Sequence, residues 1–253
     1  MNGAQCVRCA CVEMYQFPLN HSFLHIPKTG GTAVEQARRS LHVEVVTSPW
    51  TSPWSGRERA RHEPGAAWHL PPDMFAARHG VARSPRGKPL LCVVRDPVDR
   101  LQSELAWRCG LARKRPDAFH FWAQLPETAR ACAPPDLTPA PELLREARVV
   151  AAAQENRTRL LFADDRLLHL LPQSWFVWSA AGAVTCQCVV AFEKLGRVAG
   201  LAHVNARNQS LGRMRMDADE ALVRLYAPDA ALHRRAKAQN EFCYRPPARP
   251  EVQ

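Results

Sequence analysis

The stretch Ser22-Phe-Leu-His-Ile-Pro-Lys-Thr-Gly-Gly-Thr32-Ala-Val-Glu35 decides how the rest of the chain is read. Ser22 to Ile26 is a short apolar run with the character of a strand, and Pro27 to Thr32 breaks it. Beyond the break Val34, Ala37 and Leu41 recur at helical spacing, with Glu35, Arg38 and Arg39 on the other side. The unit is therefore strand, glycine-containing loop, helix. Such a loop suits an anion. The first backbone N–H groups of a helix have no intrahelical partner, and glycines let the backbone come close to a ligand. Lys28 adds a charged donor, and Thr29 and Thr32 add hydroxyls. The spacing is not the G-x-x-x-x-G-K-[ST] of nucleoside triphosphatases, because the loop is shorter and its Lys precedes Gly30 and Gly31. An ordinary glycine-rich turn is the plain alternative.

A second unit repeats the pattern about 65 residues downstream. Pro89-Leu-Leu-Cys-Val-Val94 is a continuous apolar run, as expected of a strand buried on both faces. Asp96 then reads as a helix N-cap with Pro97 at the first helical position, Val98, Leu101 and Leu105 as the core stripe, and Gly110 as the stop. Arg95 sits where the strand ends, and Ser103 lies opposite the apolar stripe. Ligands of open α/β sheets bind at the carboxyl ends of strands. Arg95 and Ser103 are thus placed to converge on a second phosphate, with a guanidinium fork and a hydroxyl as donors. A capping salt bridge for Arg95 and a solvated Ser103 are the alternatives. Asp96 has the position of an NTPase metal acid, but its Asp-Pro context favours capping.

The remaining chain continues the alternation. Thr47 to Gly65 and Arg113 to Pro141 read as loop. Leu143 to Ala153 and Arg157 to Leu171 have helical composition, and Cys188 to Phe192 is a further strand ended by Glu193-Lys-Leu195. Asp217 to Glu220 is an acidic helix start, and Pro228-Asp229 opens a final helix. Strands alternating with helices predict a single α/β domain with a central parallel sheet flanked by helices. Its expected bounds are 21–245, after an irregular leader at 1–20 and before a tail at 246–253.

Composition narrows the partners. The chain has 253 residues, 34 Lys+Arg against 24 Asp+Glu, and 46% hydrophobic residues, which excludes wholesale disorder. A charge of +10 points to an anionic partner, although abundant Arg against few Lys is equally a mark of codon bias. No run of about 18 apolar residues exists, so no transmembrane segment is expected. Met1 to Asn20 lacks the pattern of a signal peptide. Cys6-x-x-Cys9-x-Cys11 has no second pair at zinc-ribbon spacing, so no metal is expected, and the nine cysteines point to buried thiols or a few disulfides. The sequons Asn20-His-Ser22, Asn156-Arg-Thr158 and Asn208-Gln-Ser210 exceed chance and favour the secretory pathway.

Together the two motifs resemble those of the carbohydrate sulfotransferases that use 3′-phosphoadenosine 5′-phosphosulfate (PAPS), especially the Golgi heparan sulfate 2-O- and 6-O-sulfotransferase branch. That family carries an I-P-K-T-G-G-T-type loop and an R-D-P-x-x-R-x-x-S stretch, here Ile26 to Thr32 and Arg95 to Ser103. Weaker matches are Leu171-Pro-Gln-Ser174, Phe192-Glu-Lys-Leu195, Asn205 to Ser210 and Tyr226-Ala-Pro-Asp229, so the resemblance spans 22–235. It implies a P-loop-like fold, PAPS as donor, no metal, and transfer of a sulfuryl group to a glycan hydroxyl in the Golgi lumen. Carried over by position, Lys28, Thr29, Gly30, Gly31 and Thr32 would hold the 5′-phosphosulfate, and Arg95 and Ser103 the 3′-phosphate.

Sulfuryl transfer builds charge on the leaving phosphate oxygen, where Lys28 is the expected cation. The acceptor hydroxyl needs a base, and histidine suits neutral pH. Among ten histidines the resemblance makes His69, in Trp68-His-Leu-Pro-Pro72, the first candidate, because it follows the first βα unit, where this branch often supplies its base; His25, which borders the lysine loop, comes next, then His62 and Glu35. The acceptor is expected to be a glycan, possibly polyanionic, rather than nucleic acid. It would meet loops 47–75 and 111–141, where Trp50, Trp54 and Trp68 are placed to stack on sugars or to pack. Two other functions remain open, a P-loop-type nucleotide kinase or NTPase and a non-catalytic module that binds anionic glycans.

Overall fold

The computed structural model describes residues 21–37, 44–46, 69–80, 88–114, 141–163, 165–198, 201 and 219–248. The leader, Leu41, the loop 47–65, the Trp cluster, His62, the sequons at Asn20 and Asn208, the Cys6–Cys11 motif and the segment 205–210 lie outside them. The described elements are β1 (Ser22–Leu24), α1 (Gly31–Ala37), β2 (Glu44–Val46), α2 (Pro72–His79), β3 (Leu90–Val94) and α3 (Pro97–Lys114). After them come α4 (Pro141–Ala152), a 3-10 turn (Arg157–Leu160), α5 (Asp165–Leu168), α6 (Ser174–Val177), β4 (Cys186–Ala191), α7 (Phe192–Leu195) and α8 (Glu220–Ala238).

The protein is mixed α/β, with a small open parallel sheet flanked by helices. Its strand order is β2-β1-β3-β4, and each neighbouring pair runs parallel. The strand pleat explains why both faces are covered. Leu90, Cys92 and Val94 join Leu24 and Val189 in one core with Leu101, Leu105, Val150, Leu170 and Leu225. Leu91 and Val93 face the other way, into a core with Phe23, Val34, Val190, Leu195 and Val198. All five residues of β3 are buried, which is why no polar alternation is visible in its sequence. Withdrawing each such side chain from water contributes about 1.5–3 kcal/mol.

Consecutive strands leave β1 in opposite directions, β2 on one side and β3 on the other. That reversal is a topological switch point between the carboxyl ends of β1 and β3, the place where open α/β sheets bind ligands. The two loops singled out in the sequence begin there.

Local signals explain the helix starts. Asp96 Oδ1 accepts from the amides of Val98 and Asp99 at the head of α3, and Asp219 Oδ1 accepts from Ala221 and Leu222 at the head of α8. Three sequence expectations need correction. Gly110 does not stop α3, which runs on to Lys114, because a glycine weakens a helix interior by only about 1 kcal/mol. The span Arg157 to Leu171 is not one helix: the Asn156 side chain accepts from the Thr158 amide and starts a separate 3-10 turn, followed by short α5. Pro228 does not open a helix but lies inside α8. Contacts on both sides hold the helix through it: Tyr226 Oη donates to Leu170 O, and Asp229 binds the amides of Gln173 and Ser174.

Two disulfides tie the sheet together. Cys92–Cys186 links β3 to β4 across a separation of 94 residues, and Cys188–Cys243 links β4 to the segment after α8. That segment also pairs through Tyr244 with Val189, and Trp178 Nε1 donates to Pro247 O. No helix among the described residues is long and apolar enough to cross a membrane.

Candidate active site

The loop after β1 has an unusual backbone. Lys28 has φ 64° and Gly30 φ 89°, both in the left-handed region. Thr29, fully buried, donates its hydroxyl to Ile26 O at 2.9 Å, so its side chain holds the loop's shape. The amides of Ala33 and Val34 both donate to Gly30 O. The glycines answer close approaches: a Cβ on Gly30 would stand 2.7 Å from the Phe192 ring, and one on Gly31 would collide with the His25 imidazole.

Lys28 reaches toward α3. Its Nζ lies 3.7 Å from Glu104 Oε2 and 3.8 Å from the centre of the Trp107 ring. Burial lowers the Lys28 pKa to about 8, against the opposing pull of Glu104. Glu104 itself is only 1% exposed. Burial pushes its pKa up, but His169, Arg108 and Lys28 together outweigh it and hold the carboxyl far below the usual range. Arg108, one turn on, donates to Glu104 at 2.7 Å, to Glu146 at 2.6 Å and to Arg166 O.

From Glu104 a chain of buried rings leads to His69. Glu104 Oε2 lies 2.8 Å from His169 Nδ1, and His169 Nε2 lies 3.1 Å from His69 Nδ1. The His25 ring meets His69 edge-on at 5.7 Å. Arg100, also from α3, binds Pro27 O through Nε and His169 O through Nη2, which clamps the lysine loop to the His169 segment.

Arg95 closes the other side. Its backbone exchanges two bonds with the Gln173 side chain, N–H to Oε1 at 2.7 Å and O from Nε2 at 2.8 Å. Its guanidinium stacks 4.6 Å from the Phe192 ring that abuts Gly30, and its Nε is buried with no hydrogen-bond partner among the described residues.

The structure therefore brings Lys28, Thr29, Gly30, Gly31, Arg95 and His69 to the carboxyl ends of β1 and β3, with His25 beside them. Ser103 lies half-buried on α3 next to Glu104. Thr32 and Glu35 stand on α1, their side chains outside the described residues. Glu104, His169, Arg100 and Trp107 are the members that sequence reasoning missed. For Arg100 and Glu104 the signal was the spacing Arg100, Glu104, Arg108, an i,i+4 ladder that ordinarily marks a solvated helix face. Among the described residues no group of three His, Cys, Asp or Glu is arranged to hold a metal ion. No family model matches the chain, and neither curated proteins nor solved structures gave a match.

Proposed function

We propose that this chain is a PAPS-dependent O-sulfotransferase of P-loop-like fold that acts on a carbohydrate hydroxyl. The observation that carries the reading is the chain of contacts from Lys28 through Glu104 and His169 to His69, near the carboxyl ends of β1 and β3. It links a cation and a candidate base through two intervening side chains. His69 takes the proton of the acceptor hydroxyl. The hydroxyl oxygen bonds to sulfur while the bond from sulfur to the donor phosphate oxygen breaks. The electron pair stays on that phosphate oxygen, where Lys28 meets the growing charge.

The loop 27–31 would cradle the 5′-phosphosulfate through its amides. Arg95, with a buried Nε that no group among the described residues satisfies, would take the 3′-phosphate together with Ser103. A Golgi lumenal location is supported by the two disulfides and by the exposed sequon at Asn156. The glycan acceptor is proposed to be anionic, in keeping with the +10 charge.

A labelled-PAPS transfer assay across neutral and sulfated glycans tests the reading. His69→Ala and Lys28→Ala are each expected to lower kcat about a hundredfold or more. PAP or PAPS should raise the thermal midpoint. Stabilisation by ATP–Mg but not by PAPS would replace this reading with a nucleotide kinase or NTPase.

A further inference from the structure

Resting on the PAPS reading above, we propose that Gln173 and Phe192 are positioning residues that aim Arg95 at the 3′-phosphate and so set the preference for a 3′-phosphorylated nucleotide. The backbone comes first. β3 ends at Val94, so the N–H and C=O of Arg95 stand one residue past the strand and need partners. Gln173 supplies both: its Oε1 accepts from Arg95 N–H at 2.7 Å, and its Nε2 donates to Arg95 O at 2.8 Å. The pair also fixes which way the amide faces, since a flip would set NH2 against N–H and oxygen against oxygen. A primary amide has the donor and the acceptor of a peptide group, so the Gln173 side chain stands in for one more residue of strand. Gln173 is itself held. It is fully buried, and its own N–H donates to Asp229 Oδ2 at 2.7 Å while Ser174 N–H donates to Oδ1 at 2.8 Å. The tether therefore runs from α8 through Gln173 to the end of β3.

The backbone tether fixes where the Arg95 side chain leaves the chain, and Phe192 fixes where it goes. The guanidinium carbon lies 4.6 Å from the centre of the Phe192 ring. The same ring lies so close to Gly30 that a Cβ there would stand 2.7 Å from it. One ring is thus packed between the lysine loop, assigned to the 5′-phosphosulfate, and Arg95, assigned to the 3′-phosphate. It sets the spacing between the two. Asp99, Glu193 and Asp96 pull on the Arg95 charge, yet no carboxylate among the described residues forms an ion pair with it. The planar fork is held by a backbone and a ring, which leaves its donors for a phosphate.

Adenosine 3′,5′-bisphosphate (PAP) and 5′-AMP differ only in the 3′-phosphate, so the ratio of their affinities, read by titration calorimetry, isolates the Arg95 side of the site. Wild type should bind PAP about a hundredfold more tightly than AMP. Gln173→Met keeps the size of the side chain without its two hydrogen bonds, and Phe192→Leu removes the ring face. Each should bring the ratio below about tenfold, whereas Phe192→Tyr, which keeps the ring, should hold the wild-type value. A loss of both affinities by the same factor would assign these side chains to packing and overturn the proposal. So would an unchanged ratio in either variant. If Gln173→Met does not fold, the Phe192 pair decides, and equal ratios for Leu and Tyr overturn the proposal. A wild type that binds PAP no more tightly than AMP overturns the PAPS reading itself, and the proposal with it.

Discussion

Two fully buried carboxylates, Glu104 on α3 and Asp229 on α8, respond to burial in opposite ways. Glu104 sits among Lys28, Arg108 and His169, and these charges overcome the burial that would neutralise it. Asp229 is held by two backbone amides, Gln173 N at 2.7 Å and Ser174 N at 2.8 Å. Burial raises its pKa, and the Arg100 charge and the two amides offset this only in part. One carboxylate is a hub that keeps a charge inside the protein. The other is a clasp that ends the chain's approach to α6 and pins α8 beneath it. The same chemical group thus serves electrostatics in one place and backbone satisfaction in the other, and the neighbours alone decide which.

Deleting each group tests that division. Glu104→Leu should cost the most, about 3–5 kcal/mol in chemical denaturation, because it removes the carboxylate beside Lys28 and one of the two that Arg108 pairs with. Asp229→Ala should cost less, about 3 kcal/mol, from two buried amides left without acceptors. A reversed order would show that the hub is better solvated than its 1% exposure implies.

The pH dependence should separate them next. Glu104 has a lowered folded-state pKa, so its stabilisation is present above the ordinary 4.5 and is lost as pH falls below it. Asp229 has a raised pKa, so its contribution is greatest below 3.8 and declines as pH rises through its folded-state value. Stability curves of Glu104→Gln and Asp229→Asn against wild type should therefore differ with opposite slopes. Parallel curves would put both carboxylates in one class.

The smallest effect belongs to Lys28, whose pKa near 8 makes its charge conditional. Affinity for PAP should weaken as pH rises through about 8 in wild type. Lys28→Arg, charged throughout that range, should bind with little change over the same interval. A wild-type affinity that is flat to pH 9 would place Lys28 away from the nucleotide.

Much of the frame was legible beforehand. The β1 and β3 runs, the loop at Pro27 to Gly31, the Asp96 cap and the acidic start of α8 all rest on short-range rules, whereas His69 was picked out only through the family resemblance. The misreadings have a common cause. Gly110 and Pro228 were taken as boundaries from their own propensities, yet α3 and α8 pass through both because packing outweighs about 1–3 kcal/mol of local cost. His169 was one histidine among ten, with nothing nearby to distinguish it.

What the amino-acid order determined by itself is local: backbone preference, helix caps and the alternation of strand and helix depend on residues a few positions apart. Only the tertiary structure decided that His169 bridges Glu104 and His69, 65 and 100 residues away from it. It also decided that the Arg100, Glu104, Arg108 ladder lies inside the protein rather than in water. Burial and Coulomb interaction act through space, so the charge state of Glu104 and the pKa of Lys28 exist only once distant segments have met.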